Sequence, residues 1–227
     1  MSRLFAIGDI HGCSTALRRL IEIVRICPED TVVTMGDYMN RGPDTRGVVE
    51  ELLALSQRTC LVTLMGNHEQ MWLRALDSPE DEEKWKACGG DSTLASYGVG
   101  SACELPQEHQ AFFRSCLRYH EAGAHFFVHA NIDSDVPLEA QVDHTLFWEH
   151  LNFESAKHFS GKTMVCGHTP QKDGRPRHFG HAVCVDTNVH DGGWLTCLEV
   201  RTGRYWQADQ RGRHRTDVLE FEEEEAW

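Results

Sequence analysis

The sequence predicts an α/β fold in which parallel strands come first and a strand-rich half follows. In the first half, a short apolar segment runs into a loop and then into a segment whose apolar residues have helical spacing, and this pattern occurs three times. The strand segments are 3–8, 31–35 and 60–65, and the helices begin at Ser14, near 45 and near 68, the second running to 56. Successive strand–loop–helix units are typical of parallel strands joined by right-handed crossovers.

After residue 123, apolar segments follow one another directly as predicted strands. They cover 124–130, 163–169, 181–187, 194–200 and 204–208. We expect this half to form a second sheet packed against the first. Between the halves, residues 77–123 contain an acidic run, Gly89 and Gly90 in succession, and a predicted helix from Gln107 to Leu117, which indicates a small inserted helical cap.

Composition and charge exclude several classes of protein. The chain has 227 residues, of which 41% are hydrophobic and 25% charged, as expected for one soluble globular domain. With 22 Lys and Arg against 35 Asp and Glu, its formal charge of −13 argues against general nucleic-acid binding. No apolar run approaches the roughly 18 residues of a membrane span, and no signal-peptide pattern is present, so we expect a cytoplasmic protein. The oligomeric state is left open.

Cysteine usage argues against a disulfide framework and against a structural zinc site. Nine cysteines are present, an odd number, and no two have the C-x-x-C spacing. A chain of this length does not need disulfides to fold. We therefore expect reduced thiols.

Polar side chains that suit a metal or a phosphate follow five of the predicted strands. Because loops at the carboxyl ends of strands in an open α/β sheet lie side by side, these side chains should converge on one crevice. Carboxylates, imidazoles and one amide supply mixed oxygen and nitrogen donors, which suit two divalent ions better than a structural zinc ion, for which thiolates are preferred. The predicted cluster consists of Asp9, His11, Asp37, Asn67, His129 and His168.

The motifs GDIHG, GDYMNRGPDT, GNHE, FVHA and CGHT, in this order, resemble those of the calcineurin-like metallophosphoesterases. The pattern is most similar to the bacterial and phage branch of the serine/threonine protein phosphatase family, to which symmetrical diadenosine-tetraphosphate hydrolases are related. The resemblance extends from Asp9 to about Gln207. It implies a four-layer α/β/β/α sandwich of the metallophosphoesterase type, here with a small helical cap insertion. We expect a catalytic domain at 1–208 and an acidic C-terminal tail at 209–227.

The resemblance also implies a dimetal centre. Asp9, His11 and Asp37 would hold the first ion, and Asp37 would bridge to a second ion held by Asn67, His129 and His168. Two such ions activate a shared water as a bridging hydroxide for in-line attack on phosphorus. Manganese is the expected metal, with iron, zinc and magnesium left open.

Around the metals, the resemblance assigns roles in substrate binding and proton transfer. Arg41 has the position of a phosphate clamp, and its guanidinium can offer two N–H groups to phosphate oxygens. His68 has the position of the general acid. Asn67 and His150 are further candidates for contact with substrate. Asn188 and His190 are weaker candidates for the rim of the site; the histidines outside all these motifs are expected to be structural.

Two residues depart from the family pattern. Asn40 stands where the phosphatases have an aspartate that pairs with the general-acid histidine, and an amide can orient an imidazole but does not stabilise its protonated form as a carboxylate does. His150 stands where the phage-type enzymes have an arginine, so a permanent positive charge is lost unless Arg175 or Arg177 enters from a later loop.

These observations predict a hydrolase of phosphomonoesters, with a serine/threonine phosphoprotein as the first candidate substrate. The alternative is a symmetrical bis(5'-nucleosyl)-tetraphosphatase or related nucleotide pyrophosphohydrolase, whose phosphate leaving group needs little acid catalysis and better tolerates Asn40. A third reading is a catalytically weak metal-binding regulatory module, which the loss of both the aspartate and the arginine would permit.

Overall fold

The computed structural model describes residues 2–152 and 156–219. Its strands are β1 (Leu4–Ile7), β2 (Thr31–Thr34), β3 (Cys60–Thr63), β4 (Tyr119–Ala122), β5 (His125–Val128), β6 (Thr163–Cys166), β7 (Arg177–His178), β8 (Ala182–Cys184), β9 (Leu195–Glu199), β10 (Arg204–Ala208) and β11 (His214–Val218). Its α-helices are α1 (Ser14–Val24), α2 (Thr45–Ser56), α3 (Asn67–Ala75), α4 (Pro79–Trp85), α5 (Asp91–Tyr97), α6 (Gln107–Arg114) and α7 (Asp143–Trp148).

The strands form two sheets, each of which contains three parallel strands. The first sheet has the order β11-β10-β9-β1-β2-β3, and β1, β2 and β3 run parallel, as the repeated strand–loop–helix pattern predicts. The second sheet has the order β4-β5-β6-β8-β7, with β5, β6 and β8 parallel. Each sheet therefore has an edge where the carboxyl ends of three parallel strands lie together.

Alternating apolar residues hold the four layers together. In β1, Phe5 and Ile7 pack against α1 and α2, whereas Ala6 belongs to the cluster between the sheets. In β5, Phe127 faces the first sheet and Phe126 packs with the apolar residues of α7. Because successive side chains of a strand point to opposite faces, one strand serves both the central layer and an outer one. The predicted α/β fold of two sheets flanked by helices is confirmed.

The segment between the halves is helical, as expected. Helices α4 and α5 are joined by a kinked turn over Lys86–Gly90, in which Gly89 has φ 100°. This turn lies against the loop that follows β2, because the backbone N–H of Arg41 donates to the carbonyl of Gly89 at 3.3 Å. Helix α6 ends at Arg114 rather than at the predicted Leu117, which instead forms a parallel bridge with Leu64.

We expected the strands of the second half to form the second sheet, but not all of them do. Strands β9 to β11 join the first sheet, where β9 pairs antiparallel with β1. Alternating apolar residues show that a strand has a buried face but not which sheet it enters, so the sequence pattern could not decide this.

The expected C-terminal tail begins with a paired strand. Strand β11 continues the first sheet antiparallel to β10, so the boundary expected at residue 208 falls within a hairpin. Most of its residues are exposed, which explains why it lacks the apolar pattern of a buried strand. Residues 220–227 of the expected tail lie outside the described residues. None of the helices in the described ranges is long and apolar enough to cross a membrane.

Candidate metal centre

Loops at the carboxyl ends of six parallel strands carry the polar residues of one buried site. Three of the strands belong to each sheet, and their loops lie close together, since Asp37 of the first sheet clusters with His129 and His168 of the second. Each strand is followed within a few residues by one polar side chain of the site. In the order β1, β2, β3, β5, β6 and β8, these are Asp9, Asp37, Asn67, His129, His168 and Asp186.

Three of these side chains point acceptor atoms at one another. The Oδ1 of Asn67 lies 3.1 Å from Nε2 of His129 and 3.1 Å from Nδ1 of His168, and the two nitrogens are 3.2 Å apart. The opposite ring nitrogens are engaged, since Nδ1 of His129 lies 2.7 Å from the carbonyl of Met35 and Nε2 of His168 lies 3.1 Å from the carbonyl of Trp148. A carbonyl can only accept, so in the neutral rings the protons are on those outer nitrogens.

Three lone pairs therefore converge without a hydrogen between them, which is the arrangement that a cation satisfies. Metal–ligand bonds of about 2.1 Å, with ligand–metal–ligand angles between those of square-planar and tetrahedral coordination, place neighbouring ligand atoms roughly 3.0–3.4 Å apart. The three distances lie in that range. Outer hydrogen bonds from metal-bound imidazoles to carbonyl groups are likewise typical of metal sites, because they fix the ring and its tautomer.

Asp37 lies between His129 and His11 and presents a different carboxylate oxygen to each of them. Its Oδ1 is 3.6 Å from Nε2 of His129, and its Oδ2 is 3.4 Å from Nε2 of His11. Nδ1 of His11 lies 3.0 Å from the carbonyl of Met39, so Nε2 of the neutral ring carries a lone pair into the site. A carboxylate placed in this way can bridge two ions.

Burial and mutual repulsion make the carboxylates of the site difficult to ionise without a cation. Burial, followed by the charges of Asp186 and Asp37, raises the pKa of Asp9 well above its usual value. Burial is also the main cause of the raised pKa values of Asp37 and Asp186. For His129, burial lowers the pKa to about 4, so the ring is a neutral ligand at neutral pH. Divalent cations would offset this concentration of negative charge.

The backbone of the site is held in an unusual conformation. Seven non-glycine residues in the described part of the chain have positive φ. Five belong to this site: His11, Asp37, Asn40, Arg41 and His168. Such conformations are uncommon for residues with a Cβ and cluster at functional sites, where surrounding contacts stabilise them.

Glycines next to the ligands permit close approach. A Cβ at Gly167 would overlap Oδ1 of Asp9, and a Cβ at Gly66 would overlap Oδ1 of Asp37. The glycines of the GNHE and CGHT motifs are therefore required by the carboxylates opposite them.

Glu69 supports the Asp37 loop and was not singled out from the sequence. Its carboxylate is fully buried and accepts from the backbone N–H groups of Asp37 at 2.8 Å, Tyr38 at 2.9 Å and Gly66 at 3.0 Å. These bonds join the loop after β2 to the loop after β3. The sequence did contain a hint, since Glu69 is the last residue of the GNHE motif. Its carboxylate accepts from backbone N–H groups and does not face solvent.

The candidate phosphate clamp and proton donor lie beside the metal ligands. Nη1 of Arg41 is 3.1 Å from Nε2 of His11, and Nε2 of His68 is 3.9 Å from Oδ2 of Asp37. The Nδ2 group of Asn40 donates to Nδ1 of His68 at 2.7 Å. Burial, and next the charge of Arg41, lower the pKa of His68 well below its usual value.

An open cavity of about 500 Å³ gives access to these groups. Its walls bring together polar residues of the site, the side chain of Met71 in α3, the kinked turn of the cap and Trp148. The indole N–H of Trp148 donates to Oε1 of Gln70 at 2.7 Å, and its carbonyl lies against His168. The polar residues of the lining are Arg41, Asn67 and His68.

Neither His150 nor the two arginines that were considered as its substitutes belong to the lining of the cavity that contains Arg41. The exposed ring of His150 stacks on His168 with centroids 4.8 Å apart and 26° between the planes. Arg175 and Arg177 line a different groove with Tyr205, and Arg177 pairs with Asp173 at 3.0 Å. They do not line the cavity that contains Arg41.

Two further residues of the site came from the segment after β8. Asp186, which sequence reasoning missed, lies close enough to Asp9 for its charge to act on it and accepts from the backbone N–H of Asn188 at 3.0 Å. Asp186 follows the end of a strand, as the predicted ligands do, and this position could have identified it from the sequence. His190 packs edge-on against His11 with ring centroids 4.8 Å apart. It therefore lies against a candidate metal ligand and not at the rim of the site.

Comparisons with known proteins identify the family of this chain. A family model described as calcineurin-like phosphoesterase matches residues 2–196. The serine/threonine-protein phosphatase 1 of Salmonella typhimurium is 30% identical over 215 residues, which are 87% of this chain and 92% of that protein. The symmetrical bis(5'-nucleosyl)-tetraphosphatase of Methylococcus capsulatus is 30% identical over 132 residues, which span 57% of this chain but only 43% of that enzyme.

Solved structures show the same fold. A cold-active protein-tyrosine phosphatase from a Shewanella species aligns with a TM-score of 0.69 at 19% identity, over 95% of this chain and 80% of that one. A protein serine/threonine phosphatase from Saccharomyces cerevisiae aligns with a TM-score of 0.58 at 14% identity, over 99% and 82%. Calcineurin-like phosphoesterases use a dimetal centre, and a cluster of histidines and aspartates suited to one is present here. The chain belongs to the calcineurin-like phosphoesterase family and is a hydrolase of phosphoric esters.

Proposed function

We propose that this protein is a dimetal phosphomonoesterase that acts on serine/threonine phosphoproteins. The observation that carries the proposal is the convergence of three bare acceptor atoms, from Asn67, His129 and His168, beside a carboxylate that faces them with one oxygen and His11 with the other. In this proposal Asp9, His11 and Asp37 hold one ion, and Asn67, His129 and His168 hold the second with Asp37 between them.

Two divalent ions at these positions would lower the pKa of a water toward neutrality and neutralise charge on the phosphate. The remaining steps belong to side chains. Arg41 lies beside His11 with an exposed side chain, so its guanidinium can bind phosphate oxygens at the mouth of the site. His68 presents Nε2 to the same space and donates to the leaving oxygen. In this proposal His150, which stacks on His168, is a further residue that contacts the substrate.

The choice of a phosphoprotein rests on the extent of similarity. The bacterial phosphatase is matched over nearly its whole length, whereas the tetraphosphatase is matched over less than half. The open cavity beside Arg41 and His68 leaves room for a side chain that enters from a larger substrate.

A dinucleoside tetraphosphate is the second candidate because of one observation in the site. The amide of Asn40 donates to Nδ1 of His68, so that nitrogen is an acceptor. A neutral ring is a weak acid, and a leaving phosphate of low basicity needs less protonation than a serine alkoxide.

We propose manganese as the metal, because oxygen and nitrogen donors without thiolate suit it. We also propose that the catalytic domain extends through β11, since that strand completes the first sheet. Iron, zinc and magnesium are tested as alternatives in the experiment below.

Side-by-side assays of metal-stripped and reloaded protein test the proposal. Each metal is added to stripped protein, and turnover is measured on a phosphoserine peptide, 4-nitrophenyl phosphate and diadenosine tetraphosphate. We expect activity only after reloading, highest with manganese, and a higher kcat/KM on the peptide than on the dinucleotide. The opposite ranking would favour the tetraphosphatase. Stoichiometric metal binding without turnover of any of the three would indicate a regulatory module.

A further inference from the structure

A chain of buried hydrogen bonds connects the cap to the candidate proton donor. The hydroxyl of Thr93, in α5, donates to Oδ1 of Asn40 at 2.9 Å and accepts from the backbone N–H of the same residue at 2.9 Å. The Nδ2 group of Asn40 in turn donates to Nδ1 of His68 at 2.7 Å. Thr93 and Asn40 have no exposed surface, and His68 is 2% exposed, so water does not compete for these bonds.

The orientation of the Asn40 amide decides which atom His68 meets. The backbone of Asn40 has φ 69° and donates its N–H to Thr93, but the side-chain amide can rotate by half a turn and exchange its oxygen with its nitrogen. The two orientations have opposite hydrogen-bonding character toward a ring nitrogen. A donor at Oδ1 is therefore needed to hold the nitrogen toward His68, and Thr93 supplies it.

This orientation places the proton of a neutral His68 on the nitrogen that faces the site. An amide NH₂ group only donates, so Nδ1 must accept and the ring hydrogen resides on Nε2. That nitrogen is 3.9 Å from Oδ2 of Asp37, toward the candidate metals. With the amide reversed, Nδ1 would carry the hydrogen, and Nε2 would present a lone pair to the leaving oxygen.

We propose that Thr93 is a positioning residue that sets the tautomer of His68 through Asn40. The inserted cap thus supplies a determinant of leaving-group chemistry, although none of its residues is a candidate metal ligand. The effect on catalysis rests on the proposed function, but the effect on the tautomer does not. The hydroxyl of Thr45 lies 3.1 Å from that of Thr93 and could receive its hydrogen instead, which makes Thr45 a matched control.

Nuclear magnetic resonance of ¹⁵N-labelled full-length protein, loaded with diamagnetic zinc, tests the tautomer directly. The His68 signals are assigned by their loss in His68→Asn, at a pH where the ring is neutral. We expect the Nε2–H tautomer in the wild type, in Thr93→Ser and in Thr45→Val. In Thr93→Val, whose side chain has the same shape but no hydroxyl, we expect a new Nδ1–H population. An unchanged Nε2–H pattern in Thr93→Val would overturn the proposal.

Kinetics on two aryl phosphates separate positioning from a structural effect. For Thr93→Val we expect kcat to fall about ten-fold on phenyl phosphate, which has a basic leaving group, and less than about two-fold on 4-nitrophenyl phosphate, with KM and metal content unchanged. Thr93→Ser should restore the wild-type ratio, and Thr45→Val should keep it.

An equal loss on both substrates, or a loss of bound metal, would contradict the proposed role. If Thr93→Val does not fold, Thr93→Ala carries the same expectations and the same contradicting results. If no phosphate ester is hydrolysed even by the wild type, the proposed function fails while the tautomer measurement remains decisive for Thr93.

Discussion

The two sides of the site differ in how their residues are held. On the metal side, candidate ligands follow strand ends, and carbonyl groups of nearby backbone fix the rings of His129 and His168. On the leaving-group side, His68 is oriented by the side chain of Asn40, which depends in turn on Thr93 in the inserted cap. Backbone contacts tolerate changes of sequence, whereas a side-chain relay changes with each substitution. We therefore expect a single side-chain substitution to alter the orientation of His68 more readily than that of His129 or His168.

The largest effect should come from the metal side. Changing Asp37 to asparagine removes the bridging charge while keeping the shape, so we expect kcat/KM to fall by about 10³-fold or more on every phosphate ester, including those with good leaving groups. Steady-state assays over a range of manganese concentrations measure this. Activity within about ten-fold of the wild type at saturating metal would show that Asp37 does not bridge.

A smaller, selective effect should come from Asn40. Burial lowers the pKa of His68 well below its usual value, so at neutral pH the ring is neutral and is a weaker acid than its protonated form. A carboxylate at position 40 should raise that pKa and retain the acid to higher pH. We therefore expect Asn40→Asp to increase turnover of a phosphoserine peptide by about ten-fold, with a gain that widens as the pH rises.

The substrate and the partner residue provide the controls for Asn40→Asp. Diadenosine tetraphosphate, with its phosphate leaving group, should gain little. Combining the change with His68→Asn should remove the gain on the peptide. Equal effects on both substrates at every pH would mean that His68 is not the proton donor.

The sequence predicted the candidate metal ligands better than it predicted the residues that orient His68. The motifs predicted the candidate metal ligands, because strand ends with glycines are local patterns. The structure brings together the polar atoms of Asn67, His129 and His168 and places Asp37 between them and His11. The relay through Thr93 was not predicted, since this residue is 53 positions from Asn40 in the chain and lies outside every motif. The placement of β9 in the first sheet was missed for a similar reason, as pairing with β1 is a long-range contact.

The smallest effect should come from His150. Its ring is exposed and stacked on His168, and an arginine there would add a permanent charge near the phosphate. We expect His150→Arg to lower KM for 4-nitrophenyl phosphate by about three-fold at low salt, with kcat little changed, because exposed charges contribute modestly. Repeating the assay at high salt should reduce the gain. A higher KM would place this residue away from the substrate.

The count of bound metal ions tests the central claim most directly, since it does not depend on any substrate. Manganese is measured by elemental analysis of dialysed wild type and of His168→Ala, with His178→Ala as a control in the second sheet, away from the cluster. We predict two ions per chain in the wild type and the control, and one in His168→Ala, because only the site of the converging lone pairs is damaged. Two ions in all three proteins would contradict this assignment of the metal centre.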